Sequence, residues 1–400
     1  MVPASVPAAP PVAPGVRDLP FVTLHLPAGP APWARASRVA VQDPLPSAYV
    51  GLSDDELERR IWAARNKLGT RLVILGHHYQ RDDIIKFADF RGDSFGLSRE
   101  AASRPDAEFI VFCGVHFMAE TAAILGAPHQ RVVLPNLTAG CSMADMADIF
   151  EVRECWAALQ AVGVERVVPV TYMNSAADLK AFCGQHGGIV CTSSNARAVY
   201  DWAFTQGDRL LFFPDQYLGR NTGYAKGLTD DQMPLWDPRE LDGGADPEAY
   251  RRARAILWRG WCSVHKRFTI DQVRQARAGH PGVRILVHPE CTSDVVAAAD
   301  LNGSTEFIVR QVRQAPAGTV WAIGTEINLV HRLAQEHPEQ TIFCLDPVVC
   351  PCSTMYRIHP SFLLWALENL VEGRVVNQIA VSPEIRQHAR VALERMLAVH

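Results

Sequence analysis

No excess of positive charge marks this chain: its 400 residues hold 39 Lys and Arg against 43 Asp and Glu, a formal net charge of −4. With an isoelectric point near 6.4 and no basic stripe, it is not expected to bind nucleic acid or a membrane surface. Nor does any apolar run approach the ~20 residues of a membrane span; Arg209-Leu-Leu-Phe-Phe-Pro is of strand length. The N-terminal residues lack a basic segment followed by an unbroken apolar stretch, so no signal peptide is expected. Ten cysteines without such a leader point to a reducing compartment, where thiols serve metals or catalysis more often than disulfides; a cytoplasmic location is expected. Closely spaced Cys-x-x-Cys pairs are missing as well, which removes the usual mark of a structural zinc knuckle.

What is present is a globular composition, 48% apolar and 20% charged, in a chain too long for one ordinary core. Residues 1–50 are rich in Pro and Ala and are expected to be mostly disordered, with Phe21-Val-Thr-Leu-His-Leu as a possible edge strand. Ser53-Asp-Asp-Glu then opens a capped helix. Beyond it, short runs that are apolar throughout alternate with helical patterns, among them Phe109-Ile-Val-Phe-Cys, Gly188-Ile-Val-Cys and Thr319-Val-Trp-Ala-Ile-Gly. Such strands belong to parallel sheets covered on both faces. The expected class is therefore α/β, with three similar domains of small parallel sheets at 51–150, 151–265 and 266–400, the last carrying C-terminal helices. Within the second, 221–257 holds Asp-Pro and Asp-Gly-Gly turn signals and reads as a surface insertion with a helix from Pro247 to Ile256.

Three cysteines follow similar strands at similar distances: Cys141 after Arg71-Leu-Val-Ile-Leu-Gly-His-His-Tyr, Cys262 after Arg166-Val-Val-Pro-Val-Thr-Tyr-Met-Asn, and Cys352 after Val283-Arg-Ile-Leu-Val-His-Pro-Glu. Only the middle interval is longer, and it contains the insertion. A three-fold repeat with one thiol at the same point of each unit brings three thiolates together on a central axis. Three thiolates with no fourth suit a [4Fe-4S] cluster with one open iron, although thiolates also suit zinc. Cys141 and Cys352 precede helical patterns, where a helix N-terminus acidifies a thiol. Cys350 lies in Cys350-Pro-Cys352 and either thiol could reach the metal. Cys113, Cys155, Cys183, Cys191 and Cys344 read as small core residues; Cys291 is undecided.

Strand ends in such sheets are where ligands gather, and His77, Tyr79, Tyr172, Asn174, His288 and Glu290 stand there. Of the pair His77-His78, one side chain is expected to point away. Glu290, fixed after Pro289, suits removal of a proton α to a carbonyl or imine. Gly92-Asp-Ser, Thr192-Ser-Ser-Asn and Gly303-Ser-Thr each open a helix, one per third, which fits either plain helix capping or an anionic ligand held between the domains.

These residues fall in ordered motifs that closely resemble the quinolinate synthase family, the quinolinate synthetase A proteins of bacterial de novo NAD biosynthesis. The motifs are Gly76-His-His-Tyr-Gln, Gly92-Asp-Ser-Phe, Gly114-Val-His-Phe-Met-Ala-Glu-Thr, Tyr172-Met-Asn-Ser, Cys191-Thr-Ser-Ser-Asn-Ala, Pro214-Asp-Gln-Tyr-Leu-Gly-Arg-Asn, Cys262-Ser-Val-His, Val287-His-Pro-Glu-Cys, Gly303-Ser-Thr and Gly324-Thr-Glu-Ile. The resemblance covers roughly Arg71 to His400. It implies three α/β domains about a pseudo-three-fold axis with a [4Fe-4S] cluster at the centre. It also implies condensation of iminosuccinate with dihydroxyacetone phosphate to quinolinate, phosphate and water, the open iron acting as Lewis acid. Cys141 and Cys262 correspond to ligands directly; Cys352, which precedes x-x-Met, matches the last ligand better than Cys350. His77, Ser94, Tyr172, Met173, Asn174, Ser193, His265, His288, Pro289, Glu290 and Thr305 correspond to substrate positions. Catalysis would fall to Glu290, Tyr79, His288 and Tyr172. L-aspartate oxidase, the source of iminosuccinate, is implied as a transient partner. The alternatives are another [4Fe-4S] dehydratase or dehydroxylase of similar architecture, and a non-catalytic iron–sulfur sensor, for which no helix-turn-helix or basic patch is visible.

Overall fold

The computed structural model describes residues 42–348 and 351–399. Residues 1–41, including the expected edge strand, and Cys350 lie outside the described residues. No helix among the described residues is long and apolar enough to cross a membrane.

Three parallel sheets organise the chain. The first contains β1 (Leu72–His77), β2 (Phe90–Gly92), β3 (Phe109–Cys113) and β4 (Arg131–Val133), in the order β2-β1-β3-β4. The second contains β5 (Val167–Tyr172), β6 (Ile189–Cys191), β7 (Arg209–Phe213), β8 (Leu235–Trp236) and β9 (Ala255–Trp258), in the order β6-β5-β7-β9-β8. The third contains β10 (Arg284–Val287), β11 (Leu301–Asn302), β12 (Val320–Gly324) and β13 (Thr341–Cys344), in the order β11-β10-β12-β13. Each sheet is thus wired alike, the second adding one edge strand. The central strands β1, β3 and β9 are buried along their whole length, as expected where helices cover both faces.

Stretch 221–257 corrects its reading as a surface insertion. Its helix stops at Arg252, and Ala255–Trp258 is a fully buried strand that pairs with β7 in the place β4 takes beside β3. Ala-Ile-Leu-Trp suits a helix or a buried strand equally by pattern; pairing with β7 decides it.

The opening helix Asp54–Leu68 behaves as its sequence requires. Ser53 Oγ accepts the Glu56 amide, acidic residues fill the first turn, and Leu57, Ile61, Ala64 and Leu68 form the buried stripe. It packs against the helix Pro360–Val371, while the last helix, Pro383–Ala398, packs against Ala177–Gln185 in the second unit. That last contact is close: a Cβ at Gly184 would fall 1.9 Å from the His388 carbonyl oxygen. The chain's C-terminal segment therefore shares one continuous apolar core with the first two sheets, whereas the third sheet is buried in two clusters of its own.

Candidate active site

Strand register aligns the three units residue by residue. Gly76 pairs with Cys113, Thr171 with Phe213 and Val287 with Gly324, so His77, Tyr172 and His288 hold one equivalent position just beyond. Two residues further along stand Tyr79, Asn174 and Glu290. On the neighbouring strand His77 lies opposite Gly92 and Tyr172 opposite Cys191, and Gly303 follows the Val287–Asn302 pair. Two residues beyond these come Ser94, Ser193 and Thr305.

The thiols complete the pattern. Cys141, Cys262 and Cys352 are each followed by a 3-10 turn, at Ala144–Met146, His265–Arg267 and Met355–Arg357, and then by helices starting at Ile149, Ile270 and Pro360. Each cysteine carbonyl accepts the amide four residues on, from Asp145, Lys266 and Tyr356. Cysteine, turn and helix recur at identical offsets, so Cys352 occupies the place of Cys141 and Cys262. All twelve positions line one cavity.

A hydrogen-bonded chain crosses this cavity wall. Tyr172 Oη donates to Glu290 Oε1 at 2.5 Å, and Glu290 Oε2 lies 2.7 Å from His265 Nδ1. The His265 ring stacks on His288, centroids 4.4 Å apart and 19° from parallel. Its Nε2 lies 3.1 Å from Thr325 Oγ1, which lies 2.7 Å from Tyr79 Oη. Asn221 clamps the turn that carries Glu290, its Nδ2 donating to the carbonyls of Pro289 and Cys291, each at 2.9 Å. The stretch 221–257 thus begins on a residue that supports the site.

Burial sets the electrostatics. It raises the Glu290 carboxyl, but His265 and His288, with hydrogen bonds from His265 and Tyr172, outweigh it and hold the group below the ordinary carboxylate range. Burial, then His265, brings His288 down to about 3, and burial, then His78 and His288, lowers His77 as well. Tyr79 and Tyr172 are raised, first by burial and then by the Glu290 charge, which keeps both phenols protonated. Burial also pushes Cys141 up to about 12 and Cys262 well above the usual thiol range. For Cys141 this corrects the expected acidification at a helix N-terminus: the thiol precedes a single 3-10 turn, and desolvation of a thiolate outweighs the few amides facing it. A thiolate here requires a cation to compensate it.

Most expected site residues meet in the cavity: His77, Tyr79, Ser94, Tyr172, Asn174, Ser193, His265, His288, Glu290, Thr305 and the three cysteines. Two do not line it. Met173 turns into the core, with its sulfur accepting from Thr121 Oγ1, because alternation along the strand end sends it to the opposite face. Pro289 lines the adjoining groove. His78 is the histidine that points away, 3.1 Å from Glu306. Cys113, Cys155, Cys183, Cys191 and Cys291 are buried, and Cys344 is half-buried. The caps of two helices are Asp93 and Ser304, accepting from Gly96 and Phe307, so Ser94 and Thr305 are not the capping residues. Ser193 stands in the turn before its helix, which starts at Ala196, and Asn195 Nδ2 instead donates to the Met396 and Val399 carbonyls at the chain's last turn.

Asp93 and Thr325 are the functional candidates that sequence reading passed over. Asp93 Oδ2 accepts from Ser194 Oγ at 2.6 Å across the first and second units. Both sit in motifs already noted, and only the strand register between sheets singles them out.

A family model described as quinolinate synthetase A protein matches residues 59–398. The chain belongs to this family. Quinolinate synthase of Corynebacterium glutamicum is 61% identical over 359 residues, covering 90% of this chain and 91% of that protein. Quinolinate synthase of Nocardioides sp. is 59% identical over 355 residues, covering 87% and 90%. That of Geobacillus kaustophilus is 51% identical over 359 residues, covering 89% and 97%. The quinolinate synthetase A proteins form a family of enzymes, and the cavity holds the cysteine, histidine and carboxylate donors for a metal, with Cys262, His265 and Glu290 grouped within 4.8 Å.

Proposed function

We propose that this enzyme of NAD biosynthesis condenses iminosuccinate with dihydroxyacetone phosphate to quinolinate, phosphate and water. The observation that carries the reading is the convergence of Cys141, Cys262 and Cys352 on one cavity with Glu290, two tyrosines and three histidines. Three half-buried thiols at equivalent places, with no fourth cysteine among the described residues lining the cavity, fit a [4Fe-4S] cluster held by three ligands. When bound, such a cluster supplies a Lewis-acidic iron open to a substrate oxygen. Units at 51–150, 151–265 and 266–400 would each contribute one thiol about a pseudo-three-fold axis.

The chain's own residues supply binding and proton transfer. Ser94, Ser193 and Thr305, with the amides at the helix N-termini beside them, receive anionic groups of the two substrates. His77, Asn174 and His288 orient them, and neutral His77 and His288 offer hydrogen bonds without a charge that would trap a dianion. Glu290 is ionised and enclosed, so it accepts a proton from carbon with little competition from water. Tyr79 and Tyr172 keep their protons at neutral pH and serve as donors to departing hydroxyl groups. Iminosuccinate comes from L-aspartate oxidase, a transient partner in this reading, and the setting is the cytoplasm.

The test is anaerobic reconstitution with iron and sulfide followed by chromatography of products from the two substrates. Quinolinate is expected. A cluster-loaded protein that leaves this pair unchanged but dehydrates another hydroxy acid would replace the reading with that of a different dehydratase.

A further inference from the structure

The helices that follow β3, β7 and β12 are His116–Leu125, Gln216–Ala225 and Ile327–Glu336, ten residues each. Gly114, Pro214 and Thr325 hold one equivalent position before them, and the seventh residue beyond is Thr121, Asn221 or Arg332. All three are buried, Arg332 to 7% exposure. A buried guanidinium needs acceptors for its N–H groups, and it finds them in another sheet. Arg332 Nη1 donates to the His78 carbonyl at 3.0 Å and Nη2 to the Gln80 carbonyl at 2.6 Å, while Nε donates to Asp82 Oδ1 at 2.9 Å. Asn328, one turn earlier on the same helix face, donates from Nδ2 to the Tyr79 carbonyl at 3.3 Å.

The repeat shows the same grip elsewhere. His78 and Gln80 stand one and three residues after His77, as Pro289 and Cys291 stand one and three residues after His288. Pro289 and Cys291 carry the two carbonyls that Asn221 holds. One helix position thus grips the same two carbonyls of a neighbouring strand-end turn, from the second sheet to the third and from the third to the first. The step from first to second differs. Thr121 bonds back to the Phe117 carbonyl of its own helix and reaches only the Met173 sulfur, and Lys180, beside its own sheet, donates to the Ser175 carbonyl at 2.5 Å. Between the gripped carbonyls stands Glu290 in one turn and Tyr79 in the other. Holding the carbonyl on each side of a residue fixes both of its planar peptide groups, and with them the direction of its Cα–Cβ bond.

We propose that Arg332 is a positioning residue for Tyr79, aiming the phenol from the third sheet as Asn221 aims Glu290 from the second; this rests on the reading of Tyr79 as a proton donor. Two parallel N–H groups span the pair of carbonyls, which the single point of a lysine ammonium does not. The third sheet keeps its apolar clusters apart from the core of the first two, and Arg332 ties that seam beside the cavity.

Arg332→Lys keeps the charge and most of the length and removes the fork. In cluster-loaded protein it is expected to lower kcat ~10- to 100-fold, the upper figure matching a misplacement of about 1 Å. KM should stay within about threefold, since His77 is held by β1 itself and Arg332 does not line the cavity. Tyr79→Phe alone should slow turnover, and adding Arg332→Lys to it should slow it less than about threefold further, because there is no hydroxyl left to aim. Fluorine NMR of protein carrying 3-fluorotyrosine supplies a readout independent of turnover. The Tyr79 signal, assigned by its loss in Tyr79→Phe, should shift in Arg332→Lys while that of Tyr200 stays. Asp82→Ala frees the fork from its half-exposed anchor without emptying the interior, and should move the Tyr79 signal even where Arg332→Lys fails to fold. Unchanged kcat in a folded Arg332→Lys, a loss carried wholly in KM, a full further loss in the double variant, or a Tyr79 signal unmoved by these substitutions would each overturn the positioning role. Normal turnover in Tyr79→Phe would overturn the reading of Tyr79 as donor instead, and the fluorine signal would still decide whether Arg332 aims it.

Discussion

Glu290→Gln separates the base from its surroundings. The native carboxylate accepts two donors, Tyr172 Oη at 2.5 Å and His265 Nδ1 at 2.7 Å. An amide offers one acceptor and one donor, so one arm must meet a donor head-on. The tyrosine hydroxyl can rotate and accept, whereas Nδ1–H cannot. The amide oxygen should therefore face His265 and the amide nitrogen Tyr172, leaving the Tyr172 proton to seek the Ser193 hydroxyl beside it. One buried donor with an imperfect partner costs about 1–3 kcal/mol of stability, which leaves the fold and the thiols in place. Loss of the base should slow turnover at least ~10²-fold, the lower end for acid–base catalysis. The assay is anaerobic single turnover with product measured by chromatography, beside cluster absorbance and a thermal melt on the same sample. Turnover within about threefold of wild type, with the cluster loaded, would refute the assignment and move the base role to Tyr79 or His288.

Changing Cys141, Cys262 or Cys352 to Ala should abolish the brown cluster absorbance, while Cys350→Ala should keep it; absorbance and iron analysis after identical reconstitution decide, and the reverse pattern for Cys350 and Cys352 would undo the ligand assignment. Thr305→Val should raise the apparent KM with cluster content unchanged, and steady-state kinetics on both substrates will detect it; identical constants would leave Thr305 a packing residue. His288, brought down to about 3 in the fold, has an unfolded value near 6.5, so between those values the unfolded chain binds the extra proton and stability falls as pH drops through 6.5. The loss from this group between pH 7 and pH 5 is about 2 kcal/mol, and urea melts of wild type and His288→Gln across that range should differ in slope; parallel curves would count against a buried neutral histidine.

The strands were legible wherever a run was apolar along its full length, as at Phe109–Cys113, because burial on both faces leaves no alternation to misread. The three cysteines were legible through chain spacing alone. What escaped had a physical reason in each case. Strands Phe90–Gly92 and Leu301–Asn302 are too short to show a period. Ala255–Trp258 follows a well-capped helix start at Asp246-Pro247, and nothing local marks where that helix ends. The environment of Cys141 was misjudged because a cysteine before a helical pattern looks the same whether or not a 3-10 turn intervenes. Met173 was drawn in by its neighbours Tyr172 and Asn174, although alternation along an extended backbone places it on the other face. Thr325 could not be read at all from one motif; it gains meaning only against Gly114 and Pro214.

The way the C-terminal segment returns to the first two units has a consequence for synthesis. A chain emerging from the ribosome can form its first sheet early and its second soon after, and by then two thiols are in reach of one another. The third arrives with Cys352, immediately before the helix that must dock on Asp54–Leu68, a partner made some three hundred residues earlier. Until that long loop closes, the metal would have two ligands and open solvent, and closing it is the slow kind of event for a chain of distant contacts. On the cluster reading, cofactor capture would wait for the end of translation. A truncated copy missing its final helices would carry all three thiols and most of the site's side chains, without the docking on Asp54–Leu68 that brings the third thiol into place.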